Sequence, residues 1–145
     1  MKQLARSSGM WVCWLFAWIS SASTQSTTVP PIVERGFEEY ESHGVDSAYH
    51  TWLANSPISH DSTAISSAFT LHQLEKLYGR MEGHEIMKVS AIGSRVLKVY
   101  AIAHFQRGPL YMWFECYRAG PEWIISAFLF NPRPEPILPT ALINR

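Results

Sequence analysis

Apolar residues recur at helical spacing in the first half of this chain and at alternate positions in the second. Val33, Phe37 and Tyr40 share one helical face, with Glu38, Glu39 and Glu41 directed outward. After Gly44, the residues Val45, Ala48, Tyr49, Trp52 and Leu53 form a second apolar stripe. Asp46 lies in its first turn and Pro57 marks its stop. Asp61 or Ser62 can cap a third helix carrying Ile65, Ala68, Phe69, Leu71, Leu74 and Leu77, which ends at Tyr78-Gly79.

From Glu85 the period changes to two. Residues 85–92, 95–105, 110–118 and 122–131 read as strands separated by Gly93-Ser94, Gln106-Arg107-Gly108-Pro109 and Ala119-Gly120-Pro121. Two to three helices followed by a four-stranded antiparallel meander give an α+β fold. The division expected is a leader over 1–23, a linker over 24–32, one domain over 33–131 and a Pro-rich, extended tail over 132–145.

The turns also suggest a register. If Phe105 faces Leu110, then Val99 meets Cys116, Ala101 meets Phe114 and Ala103 meets Met112. With Trp123, Ile125, Ala127 and Leu129 this face is wholly apolar, and it is expected to meet the helices. The opposite face carries Tyr100, His104, Tyr111, Trp113, Glu115 and Tyr117, joined by Ser126, Phe128 and Phe130. A slip of one residue would exchange the two faces.

The leader reading rests on Lys2 and Arg6, an apolar run over 10–19 and the small residues Ser20-Ser21-Ala22-Ser23. The run is about ten residues, too short to span a bilayer, so an export signal cleaved near Ala22 or Ser23 is expected. A periplasmic or fully secreted destination fits equally, with no stable membrane span after cleavage. Such a mature chain keeps ten bases against twelve acids and Cys116 alone of the two cysteines, so no intramolecular disulfide can form. The balanced charge argues against nucleic-acid binding, which works through clustered Lys and Arg.

Chemistry is sparse. The six histidines at 43, 50, 60, 72, 84 and 104 show no His-x-His and no i, i+4 pair. His84-Glu85 opens like a zincin motif, but Lys88 stands where the second His belongs. Neither a metal site nor a cofactor is expected. No Gly-x-Ser-x-Gly elbow is present, and Cys116 and His104 fall on opposite faces, so no catalytic residue is assigned. Lys88 and Ser90 are expected on the helix-facing side of the first strand, as polar contacts of any interior pocket or as solvated edge residues. Tyr100, His104, Tyr111, Trp113, Glu115, Tyr117 and Phe128 have the composition of an interface centre. Either a second copy or residues 137–143 of the chain itself would cover them.

Tyr78-Gly79, Gly83, Glu85, Arg95 to Tyr100, Gly108-Pro109-Leu110 with Trp113, Phe114 and Tyr117, and Trp123 to Phe128 and Phe130-Asn131 together suggest a family. Over roughly 33–131 the chain resembles small secreted bacterial proteins with the cone-shaped α+β fold of nuclear transport factor 2, ketosteroid isomerase and the polyketide-cyclase-like proteins. The resemblance implies helices over a curved sheet, a pocket between them and an outer face that builds a homodimer. It does not carry the isomerase chemistry, because the Asp or Glu base and Tyr/Asp oxyanion pair of that branch have no counterpart here. The expected function is therefore that of an exported binding protein, with a second copy and a small apolar ligand as its partners. An isomerase- or cyclase-type enzyme and a module binding another envelope protein along the first strand are the alternatives.

Overall fold

The computed structural model describes residues 28–144. The leader expected over 1–23 lies outside them, as do residues 24–27 of the stretch read as a linker. Four helices and four strands follow in order: α1 Pro31–His43, α2 Val45–Trp52, α3 Ser62–Tyr78, β1 Met81–Ala91, β2 Val96–Phe105, β3 Gly108–Ala119, β4 Glu122–Asn131 and the short α4 Thr140–Ile143. The strands form one antiparallel meander in the order β1-β2-β3-β4. The fold is α+β.

α1 begins inside the expected linker. Pro31 occupies the first turn, where its missing N–H costs nothing, and Ile32 and Val33 are already buried. α1 and α2 cover one sheet face. Phe37, Trp52 and Phe114 meet there with rings 5.2 to 5.7 Å apart, and the Trp52 indole N–H donates to the Val33 carbonyl at 3.2 Å. Leu97, Val99, Ala101, Ala103 and Phe105 all belong to this core, so the parity expected for β2 holds.

The pairing differs from the expected one by two residues. Phe105 faces Gly108, which leaves Gln106-Arg107 as a two-residue turn and places Val99 opposite Phe114 and Ala101 opposite Met112. Two-residue loops match the twist of an antiparallel pair, and a shift of two leaves every side chain on its own face.

Bulges change parity elsewhere. In β4, Ser126 is an extra residue between Ile125, opposite Cys116, and Ala127, opposite Glu115. The Ser126 hydroxyl donates toward the Glu115 carbonyl and carboxylate at 3.2 and 3.0 Å. Beyond it the faces exchange. Phe128 turns inward against Tyr49, Trp52 and Phe114, while Leu129 faces solvent. Phe128 and Phe130 therefore belong to the core layer and not to the outer surface expected for them. In β1, Met87 is the extra residue, so Ile86 and Val89 face the core while Lys88 and Ser90 pair with Tyr100 and Lys98 on the outer side. The helix-facing placement expected for Lys88 and Ser90 is corrected by that bulge.

One buried polar anchor links the helices to the sheet. Ser56, in the α2–α3 connection, donates to the Ile125 carbonyl and accepts from the Ile58 N–H. Ser56→Ala is expected to lower unfolding free energy by about 1–2 kcal/mol in urea titrations, because a buried acceptor loses its donor. An unchanged midpoint would mean that this bond contributes nothing.

The tail is not free. After Asn131 the chain turns back, with the Arg133 N–H on the Asn131 side chain and the Ile137 and Leu138 N–H groups on the Pro134 carbonyl. Ile137, Leu138 and Leu142 then bury themselves against Met87, Tyr100, Tyr111 and Trp113 on the outer sheet face. The extended tail expected from its prolines is corrected accordingly.

Candidate functional site

The outer aromatic face is largely self-satisfied. Tyr100, Tyr111 and Trp113 lie under the returning tail, and the Lys98 ammonium sits 4.0 Å from the Trp113 ring centre. Arg95 covers Tyr117 at 5.0 Å and donates to the Arg118 carbonyl. Glu115 is held by Ser126, and His104 is exposed, 3.8 Å from Glu85. The chain's own residues thus occupy the centre of the surface expected to receive a second copy. At the free edge of β1 two bulges interrupt the ladder and Lys88 stands on its outer side, features that disfavour addition of a further strand.

The least satisfied surface belongs to α3. Asp61 caps this helix, accepting from the Thr63 N–H at 2.9 Å, and that bond holds its carboxyl below the usual range. Gly79 closes it at φ 84°. Its register is well specified, but its packing is thin. Only Ala64 and Leu71 of the helix are buried, while Ile65 and Phe69 are each 65% exposed and Leu77 is also bare. The apolar stripe read from the sequence is thus divided, with Ala68 and Leu74 against the core and the larger residues uncovered.

Between α2 and α3 this thin packing leaves an open cleft of roughly 440 Å³. Tyr49, Leu53, Ala64, Ile65 and Ala68 supply apolar walls, and His50, Asn55 and Ser59 stand at the polar margin. His72 and Asp46, joined at 2.8 Å, tie the same two helices together nearer the far end of α3. Tyr49 is buried, and its hydroxyl has no hydrogen-bond partner among the described residues. Burial pushes that phenol well above its ordinary range, with the nearby Ser67 hydroxyl offsetting a little, so Tyr49 is a neutral donor at any ordinary pH. The Tyr40 hydroxyl is similarly buried and unpartnered, and burial, followed by the Glu75 charge, raises it further. A size of several hundred Å³ and mostly apolar walls with a few directed polar groups are the properties of a small-molecule site.

A second constellation lies where α1 crosses β1. His84 faces the helix layer, opposite Ala103, and its ring stacks on Phe37 with centres 4.3 Å apart and planes 8° from parallel. One ring nitrogen meets Glu34 at 2.8 Å and the other meets Glu41 at 3.0 Å. Both nitrogens are therefore engaged, which leaves no lone pair for a metal or for general-base work while the pairs hold. Among the described residues no group of three or more His, Cys, Asp or Glu could hold a metal ion. Burial also pushes the Cys116 thiol up to about 12, with Glu115 adding to the shift, which suits a packing residue rather than a nucleophile.

Neither constellation is assigned from the sequence. Glu34 and Glu41 flank Phe37 on α1, about two turns apart, a visible spacing, but nothing local names His84 as their partner across 43 and 50 residues. The cleft leaves even less trace, because its walls are ordinary helix residues. Searches against protein-family profiles, curated proteins and solved structures give no match to this chain.

Proposed function

We propose that this chain is a non-enzymatic binding protein that holds one small apolar ligand in the cleft between α2 and α3. The observation that carries the reading is α3 itself, a fully capped helix that leaves Ile65, Phe69 and Leu77 uncovered, with Ile65 lining an open, apolar-walled cleft. An ordinary core helix would bury them, since each such side chain gains about 1.5–3 kcal/mol on leaving water. Ligand binding would recover part of that free energy.

Support for a binding role over an acid-base reaction comes from the interior polar groups. Among the described residues the buried phenols Tyr40 and Tyr49 have no carboxylate within hydrogen-bond reach, and His84 is committed on both sides. The helices-then-meander order accords with a distant relationship to the nuclear transport factor 2-like cone proteins, and the apolar run over 10–19 accords with export. Both belong to this proposal.

Titration with the neutral probe Nile red tests the site. One equivalent should bind with a blue-shifted emission. Ala68→Trp, which fills the cleft, should weaken binding at least tenfold, and the surface change Ile65→Glu should weaken it severalfold without unfolding the helix. If both variants fold and bind the probe as the parent does, the cleft is not the site.

A further inference from the structure

We propose that Glu34, His84 and Glu41 form a proton-controlled latch that fastens α1 to β1, closed when the imidazole is doubly protonated and loosened when it is not. The geometry carries the argument. An imidazole with a carboxylate oxygen within 3.0 Å of each ring nitrogen can satisfy both only by donating from both, which requires the cation. Removing one proton leaves a lone pair facing a carboxylate, and one arm must open. Stacking on Phe37 and a side chain only 17% exposed keep the ring from turning away to water.

The carboxylates around the ring act in the same direction. α1 presents Glu34 and Glu41 to the ring, with Glu38 exposed on the same helix, and β2 offers the neutral Ala103 opposite. Arg80 donates to the Glu41 backbone carbonyl at 3.3 Å, so this nearby base is joined to main chain rather than to the carboxylates. Burial alone would lower the His84 pKa, but hydrogen bonds to Glu41 and Glu34 and their charges outweigh it, and the net shift is upward. A base raised on folding stabilises fully below its unfolded value, about 6.5, and that contribution is lost as pH rises through the folded value.

The latch sits at a consequential place. α1 meets β1 at this crossing, beside its ring contacts with Phe105 and Phe114 on the neighbouring strands, and β1 is an edge strand whose pairing carries two bulges. Opening should therefore loosen the α1–β1 contact before the β2–β3–β4 centre. Such a device would make the protein tightest under acid conditions and looser as its surroundings turn alkaline.

Two measurements on the full chain decide the matter. Nitrogen-15 NMR of the His84 ring should show both nitrogens protonated below a midpoint that lies above that of ordinary histidine. Glu34→Gln and Glu41→Gln should each move the midpoint downward. Amide hydrogen exchange in α1 and in residues 81–86, corrected for intrinsic rates, should accelerate severalfold as pH crosses that midpoint, and His84→Gln should abolish the step. A midpoint at or below the ordinary value, or exchange that ignores the titration, overturns the latch. The conservative carboxylate variants keep the test decisive if His84→Gln fails to fold.

Discussion

Gly36→Ala should cost at least about 3 kcal/mol of stability and leave much of the protein unfolded at moderate temperature. A methyl carbon at this α1 position would fall inside the Trp52 ring. Two effects compete. Alanine improves helix propensity by about 1 kcal/mol over glycine, whereas overpacking a core costs about 1–3 kcal/mol and more where neighbours cannot move. Here the neighbour cannot move. Trp52 is fully buried, touches Phe37, Tyr40, Tyr49, Phe114 and Phe128, and is anchored by its hydrogen bond to Val33. Against a typical total of about 5–15 kcal/mol, the loss is large. Urea denaturation measures it, and the double variant with Trp52→Phe provides the control. If alanine costs as much in the Trp52→Phe background as in the parent, the clash is not with the indole ring.

Ending the chain after Asn131 should turn a well-behaved protein into one that self-associates at micromolar concentration. The deletion strips Ile137, Leu138 and Leu142 from Met87, Tyr100, Tyr111 and Trp113, leaving an aromatic sheet face open. Burial of the three aliphatic side chains gains roughly 4–9 kcal/mol at most. Ordering the segment costs conformational entropy that offsets this gain, so the change in net stability should be small. The larger change is in association. Sedimentation of the full and shortened chains separates the two cases, with Leu138→Asp as a point variant that opens the same surface. A shortened chain that remains a monomer at high concentration would show that the tail shields nothing adhesive. A full chain already paired through Trp113 would show that a second copy can displace the tail.

The two sheet faces show how far one dimension of information reaches. Alternation along β2 identifies Val99, Ala101 and Ala103 as core and Tyr100 as outer, because the pleat makes the side-chain period a property of the strand alone. The same reasoning misplaces Phe128, Lys88 and Ser90 once Ser126 and Met87 enter as extra residues. A bulge is settled between two strands and has no reliable mark in either. The two-residue register shift has the same origin, since the turn could be drawn over two residues or four.

By itself the sequence determined the order of the first three helices and the four strands, the caps of α3, the inward side of β2 and the lack of a familiar catalytic motif. These follow from interactions between residues a few positions apart, or from a repeat that every strand or helix imposes. Only the tertiary structure decided that residues 137–142 cover the outer aromatics, that His84 is gripped by Glu34 and Glu41, and that α2 and α3 stand apart to leave a cleft. Each depends on groups separated by a dozen to fifty positions, whose meeting is fixed by how whole elements pack, and packing has no local signature.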